Sequence, residues 1–216
     1  MKAEINGTQI ELEPNSKPYL LKRIVADGFD LTAVFVLFLL LTMLLMHTPL
    51  AQSYHAHAER ATALVEATAA ELHNDAEAVG AALSGNSEYR EEAFAANLHS
   101  YLLKAAACFL AEALILLAIP LLNRDRATPG KLLAGIMPFN EKRQSRVIWP
   151  QIVYRFLFVF LIDSLALYLY TGILTFLLVP VLRLTEMLLN SSKNKTICDF
   201  ITGVTIIEKL SYDGIN

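Results

Sequence analysis

The sequence predicts an all-α membrane protein: a four-transmembrane-helix bundle with an extracytoplasmic αα-hairpin inserted between its first two spans. Three observations carry this reading. Hydrophobic residues make up 55% of the 216, which puts most of the chain in lipid and leaves no large soluble core. Residues 31–46 carry no charge, and with the preceding turn they reach the roughly 20 residues a helix needs to cross a bilayer. The net charge of -3 divides unevenly along the chain, and charge on either side of each span sets orientation.

Residues 1–22 form a polar cytoplasmic segment, in which Asn6-Gly7 between two short β-prone pieces signals a hairpin. The first span, about 23–47, ends near Pro49. Its apolar run is too long for a signal-peptide core and no small-residue cleavage signature precedes it, so it stays attached as a signal-anchor. Residues 48–98 follow with eight acidic side chains against Arg60 and Arg90, a balance that belongs outside. Within them Val65, Ala69, Leu72, Ala76, Val79 and Leu83 recur at steps of three and four, one face of a helix. Ser87 then reads as the N-cap of a second helix, with Glu88 in its first turn.

The second span, 100–122, contains Lys104, Glu112 and Pro120. The loop 123–147 holds six basic residues against Asp125 and Glu141 and so marks the cytoplasmic side. Residues 131–138 in this loop read as lying along the membrane surface, with Trp149 as an interfacial anchor. Two spans, 148–169 and 172–190, break near Tyr170-Thr171-Gly172. A three-span alternative is disfavoured because Lys193 and Lys195 prefer the cytoplasm, to which an even number of spans returns the chain. The tail, 191–216, is cytoplasmic and contains a β-prone piece after Gly203. Both termini then face the cytoplasm of a prokaryotic cell, and the protein is multi-pass in the plasma (inner) membrane.

Three blocks match a known family. Arg23-Ile-Val-Ala-Asp27-Gly-Phe-Asp30 resembles the opening of RDD-type membrane proteins, an arginine at the start of the first span and an aspartate seven residues on. Ala127-Thr128-Pro129-Gly130-Lys131-Leu-Leu-Ala-Gly135 is similar to the family's loop after the second span. Lys195-Thr196-Ile-Cys-Asp199-Phe-Ile-Thr-Gly203 resembles its closing segment, which carries the second named aspartate. The resemblance implies a membrane domain over 23–190 and a role in transport, with cation/proton exchange proposed for some members. It does not extend to the acidic insertion.

Ionisable groups inside a bilayer are costly and mark pathways or structural locks. Arg23, Asp27 and Asp30 share one face of the first span, and Arg155 and Asp163 one face of the third. Counting helical rise puts Arg155 about 12 Å and Asp30 about 10 Å from their inner ends, comparable depths at which the two could meet. Arg183, with Glu186 beside it, reaches a similar level, and Lys104 and Asp163 form a second candidate pair nearer the outer face. Glu112 sits near mid-membrane without an obvious cation, as a proton carrier requires. The opposing reading is a network that locks helices together, or cations that snorkel to the interface.

Gly130-Lys131 lacks the further glycine and Ser/Thr of a phosphate-binding loop, so nucleotide binding is not expected. His55 and His57 are two apart and His73 and His99 distant from them, so no metal site is expected. Cys108 and Cys198 read as packing residues. No hydrolytic triad is visible, and the expectation is a non-enzyme without cofactor. Partners are the lipid bilayer and a second copy or another membrane protein, not nucleic acid. The expected function is transport of a cation, proton or small solute along these charges, with Arg23 and Asp199 holding the inner end. The alternative is a non-catalytic subunit or regulator that docks a partner through its outer hairpin.

Overall fold

The computed structural model describes residues 2–5, 8–11, 17–140, 142–143, 145–169 and 196–208. The expected fourth span, with Arg183 and Glu186, lies outside them. In chain order the elements are β1 (Lys2–Ile5), β2 (Thr8–Glu11), α1 (Lys17–Leu45), α2 (Pro49–Glu71), α3 (Ala76–Gly85) and α4 (Ser87–Glu112). A π-helical segment (Ala113–Ala118), α5 (Ile119–Leu122), α6 (Pro129–Leu133), β3 (Ile136–Asn140) and β4 (Ser145–Arg146) follow. The described chain closes with α7 (Trp149–Leu169), α8 (Ile197–Thr202) and β5 (Val204–Glu208). The chain divides into two compact units, Met1–Phe38 with Cys108–Asn216, and Leu39–Ala107.

Among the described residues, two stretches of helix are long and apolar enough to cross a membrane, Leu21–Leu45 and Ser87–Leu122. In the first, Arg23, Ala26, Asp30, Val34 and Phe38 recur every three or four residues and are buried. Leu21, Val25, Phe29 and Val36 on its other faces are exposed. So much exposed apolar surface on one helix fits lipid and not water.

In the first unit, β3 pairs antiparallel with both β4 and β5, and β1 pairs antiparallel with β2 in the expected hairpin register, Ile5 opposite Thr8. The predicted all-α class therefore needs a small sheet added. Residues 136–138, expected along the membrane surface, form part of β3: Ile136, Met137 and Phe139 are almost fully buried, as are Val204, Ile206 and Ile207 of β5. Ile136 and Ile206 pack on Ala26 of α1, and Val204 packs with Val147 and Ile152 against Leu117 and Leu121. The sheet is thus an apolar wedge with two contacts, one on α1 and one on the π-helical segment, α5 and the start of α7. Lys22 adds an ion pair to Glu208 of β5 at 2.8 Å.

The second unit differs from the sequence reading in three local details. The single helical face expected from Val65 to Leu83 is interrupted, because His73 and Asn74 adopt left-handed backbone and Asp75 then caps α3 by accepting from Glu77 N and Ala78 N. Asn86 rather than Ser87 caps α4, its side-chain oxygen accepting from Tyr89 N at 3.1 Å. His99, expected to be remote, stacks on His57 with ring centres 5.3 Å apart. Glu92 joins this cluster at 2.6 Å from His57 Nδ1 and 3.3 Å from Arg60 Nη1, tying α2 to α4.

Candidate functional site

The charged residues of α1 serve two centres. At the first, Asp30 accepts hydrogen bonds from the Thr128 hydroxyl and, at 2.7 Å, from Gly130 N, with Lys131 Nζ 3.7 Å away. Lys131 also reaches Asp27 at 3.3 Å and Thr128 Oγ1 at 3.2 Å. Thr128 is the N-cap of α6 by position, but its hydroxyl accepts no capping hydrogen bond from the backbone of that helix. Asp30 caps α6 instead, a carboxylate from another element meeting a helix N-terminus.

Gly130 makes this approach possible. A Cβ there would overlap the Ala26 carbonyl oxygen and fall 2.9 Å from its carbon and 3.0 Å from Asp30 Cγ. Backbone therefore lies directly on backbone. Asn123, which the sequence reading passed over, shapes the approach to this turn: its Nδ2 donates to the Ile119 and Ala127 carbonyls at 2.8 and 2.6 Å, and its Oδ1 accepts from Ala127 N. Gly135, at φ 66°, then turns the chain out of α6 into β3.

At the second centre, Asp199 is fully buried and takes Arg23 Nη2 at 2.6 Å on one oxygen and Arg155 Nη1 on the other. Thr196 and Asp199 form a capping box that starts α8, and Gly203 in the left-handed conformation ends it, so β5 can return alongside β3. Burial by itself would raise the Asp199 carboxyl; the charges of Arg155 and Arg23 outweigh it and hold this group well below the usual carboxylate range. The expected meeting of Arg155 with Asp30 is thus replaced by Arg155 with Asp199. Depth along a helix fixes height but not direction, and the short α8 intervenes. Gln151, also missed, binds α7 to α8 through Nε2 to the Thr202 carbonyl at 2.7 Å, while its Oε1 accepts from Asn140 Nδ2 at 3.0 Å. A glutamine in the first turn of an apolar helix was the available signal.

Between the centres lies a cavity of about 170 Å³. Arg23, Asp27, Arg126, Thr128, Lys131, Arg155 and Thr196 contribute its polar wall, and Leu116, Pro120, Phe156, Val159 and Ile162 much of its apolar wall. Glu112 is 1% exposed at the junction of α4 with the π-helical segment, with Cys108 Sγ 3.5 Å from its Oε1. Asp163 belongs to α7 in the same unit, whereas Lys104 belongs to the other unit. Among the described residues no group of three or more His, Cys, Asp or Glu is arranged to hold a metal.

The model of the RDD family matches residues 17–203, and so takes in both centres and every element that builds them. The chain belongs to the RDD family. No curated protein and no solved structure matches it. In this RDD protein the arginine of the first helix and the aspartate of the closing segment form one buried pair. The other aspartate, Asp30, serves the Thr128–Lys131 turn. The motif blocks that carried the resemblance are the pieces that meet in space, and the protein is an integral membrane protein with apolar helices.

Proposed function

We propose that this RDD protein is a non-enzymatic, multi-pass transport protein of a prokaryotic plasma membrane, which moves a small solute through the cavity between its two charged centres. Four spans, cytoplasmic termini and an outer helical insertion complete the reading, supported by the basic loop at 123–147 and the acidic balance of 48–98. The carrying observation is the cavity itself, in which Arg23, Asp27, Lys131 and Arg155 present charge beside the apolar face of α7. Charge on membrane helices, here Arg23 and Asp27 of α1 and Arg155 of α7, that lines a cavity is the expected signature of a solute path. One chain encloses little space, so assembly with a second copy or another membrane protein completes the path.

Proteoliposomes of the pure protein test this. Flux of protons, sodium, potassium or phosphate above empty vesicles is expected, and Asp27→Asn should change it at least about tenfold while the protein stays folded. A folded protein that carries none of these refutes the transport reading. The alternative, a subunit that docks a partner through its hairpin, draws on one observation: Phe94 is 69% exposed, with Leu98 and Leu102 following at four-residue steps along α4. Deleting residues 53–92 should then abolish co-purification of a partner without affecting membrane insertion.

A further inference from the structure

The described part of the cavity wall is unbalanced in charge. Among the described residues, four cations, Arg23, Arg126, Lys131 and Arg155, line it against one carboxylate, Asp27. The carboxylates behind the wall do not redress this, because Asp199 is shared by two guanidinium groups and Asp30 faces a lysine that also meets Asp27. Among the described residues of the two centres and the cavity, four cations stand against three carboxylates. Excess positive charge in a poorly solvated site is costly, and an anion offsets it.

The donor set narrows the anion. Guanidinium groups present planar, paired N–H donors and an ammonium a point charge, the two chemistries that recognise phosphate and carboxylate oxygens. A volume of about 170 Å³ is below the roughly 300–1,000 Å³ of sites for drug-sized ligands, so it suits a group the size of phosphate. The apolar wall formed by Leu116, Phe156, Val159 and Ile162 suits a chain carried by such a group.

We propose that this cavity binds a small oxyanion, a phosphate or carboxylate group, either free or at the head of an amphiphile. The inference rests on the transport reading's choice of cavity and names its ligand class. Binding is read without a gradient, so it fails independently of flux.

The full-length protein in neutral detergent is titrated with sodium phosphate against sodium chloride at equal sodium. In parallel it is placed in phosphatidylcholine nanodiscs with and without phosphatidylglycerol. The readouts are the thermal midpoint, which a ligand of the folded state raises, and the affinity by calorimetry. A rise with phosphate identifies a free oxyanion; a rise with phosphatidylglycerol that phosphate reverses by competition identifies a lipid head. Arg126→Gln should weaken binding about tenfold, as loss of a charged hydrogen bond does. Asp27→Asn should strengthen it, a sign that misfolding cannot produce. The proposal is overturned when neither phosphate nor phosphatidylglycerol shifts the midpoint, or when a folded Asp27→Asn protein binds phosphate more weakly than wild type.

Discussion

Arg23 donates from Nη2 to Oδ2 of Asp199 at 2.6 Å, joining positions 176 apart in the chain. Arg155 occupies the other carboxylate oxygen, so a single acid neutralises part of one buried and one part-buried cation. The partners are not equivalent in consequence. Removing Arg23 leaves Asp199 paired with Arg155, whereas removing the acid takes the shared carboxylate from both guanidinium groups.

Asp199→Asn is therefore expected to cost about 3–5 kcal/mol of stability, the range for an uncompensated buried charge. Arg23→Met should cost clearly less. Reversible unfolding of both variants in mixed micelles checks the order, and equal losses would contradict the shared-acid geometry.

The same residue sets an acid limit. Its folded pKa lies below the ordinary 3.8, so its contribution is complete above that value and disappears as pH falls through the lower, folded one. Thermal midpoints of the wild type should fall more steeply below about pH 4 than those of Asp199→Asn, which has lost the titrating group. Parallel curves would show that Asp199 is not held ionised.

Gly130→Ala should be more damaging than its size suggests. The added Cβ overlaps the Ala26 carbonyl, and relief requires α6 to move off α1, which breaks the hydrogen bond from Gly130 N to Asp30. A loss of about 3 kcal/mol, the upper part of the overpacking range, is expected. Gly135→Ala, where no atom lies within 4 Å of a Cβ, carries only the left-handed backbone cost of about 1–2 kcal/mol. Unfolding midpoints of the two variants compare close packing with backbone conformation directly.

Asp30 was readable from its own chemistry, an ionisable group at the mouth of an apolar run, whereas Thr128, Lys131 and Asp199 were readable through the blocks that resemble the family; the structure gathers them into two centres. Partner choice was not readable, as Arg155 shows, because periodicity gives the face of each helix and not the angle between helices. The strand at Ile136–Asn140 was hidden for a related reason. Its continuous burial gives an apolar run with no alternation, and the run resembles a surface helix until β5, far along the chain, supplies the ladder. The break at His73–Asn74 escaped because neither residue is glycine or proline, although asparagine tolerates left-handed backbone better than most.

The π-helical segment is marked in the sequence only by the proline that follows it, and that proline gives its cause. Pro120 has no amide hydrogen, and in a regular α-helix its ring would press on the carbonyl of Leu116. The wider turn over Ala113–Ala118 avoids this, and Ile119 N donates to Leu114 O, five residues back. Such a turn holds one residue more than an α-turn, so deleting one residue inside it should restore α-helix and leave both flanking segments in register. Leu114 is exposed and suits the deletion, whereas deleting Leu110, in regular α4, should rotate everything after it by about 100°. The Leu114 deletion is expected to accumulate in membranes and melt within a few degrees of wild type, and the Leu110 deletion to be lost. Because Glu112 sits at the start of the wide turn, the Leu114 deletion should also alter any proton-coupled flux in proteoliposomes. Equal loss of both deletions would mean that the wide turn is not an inserted residue and that its link to Pro120 is wrong.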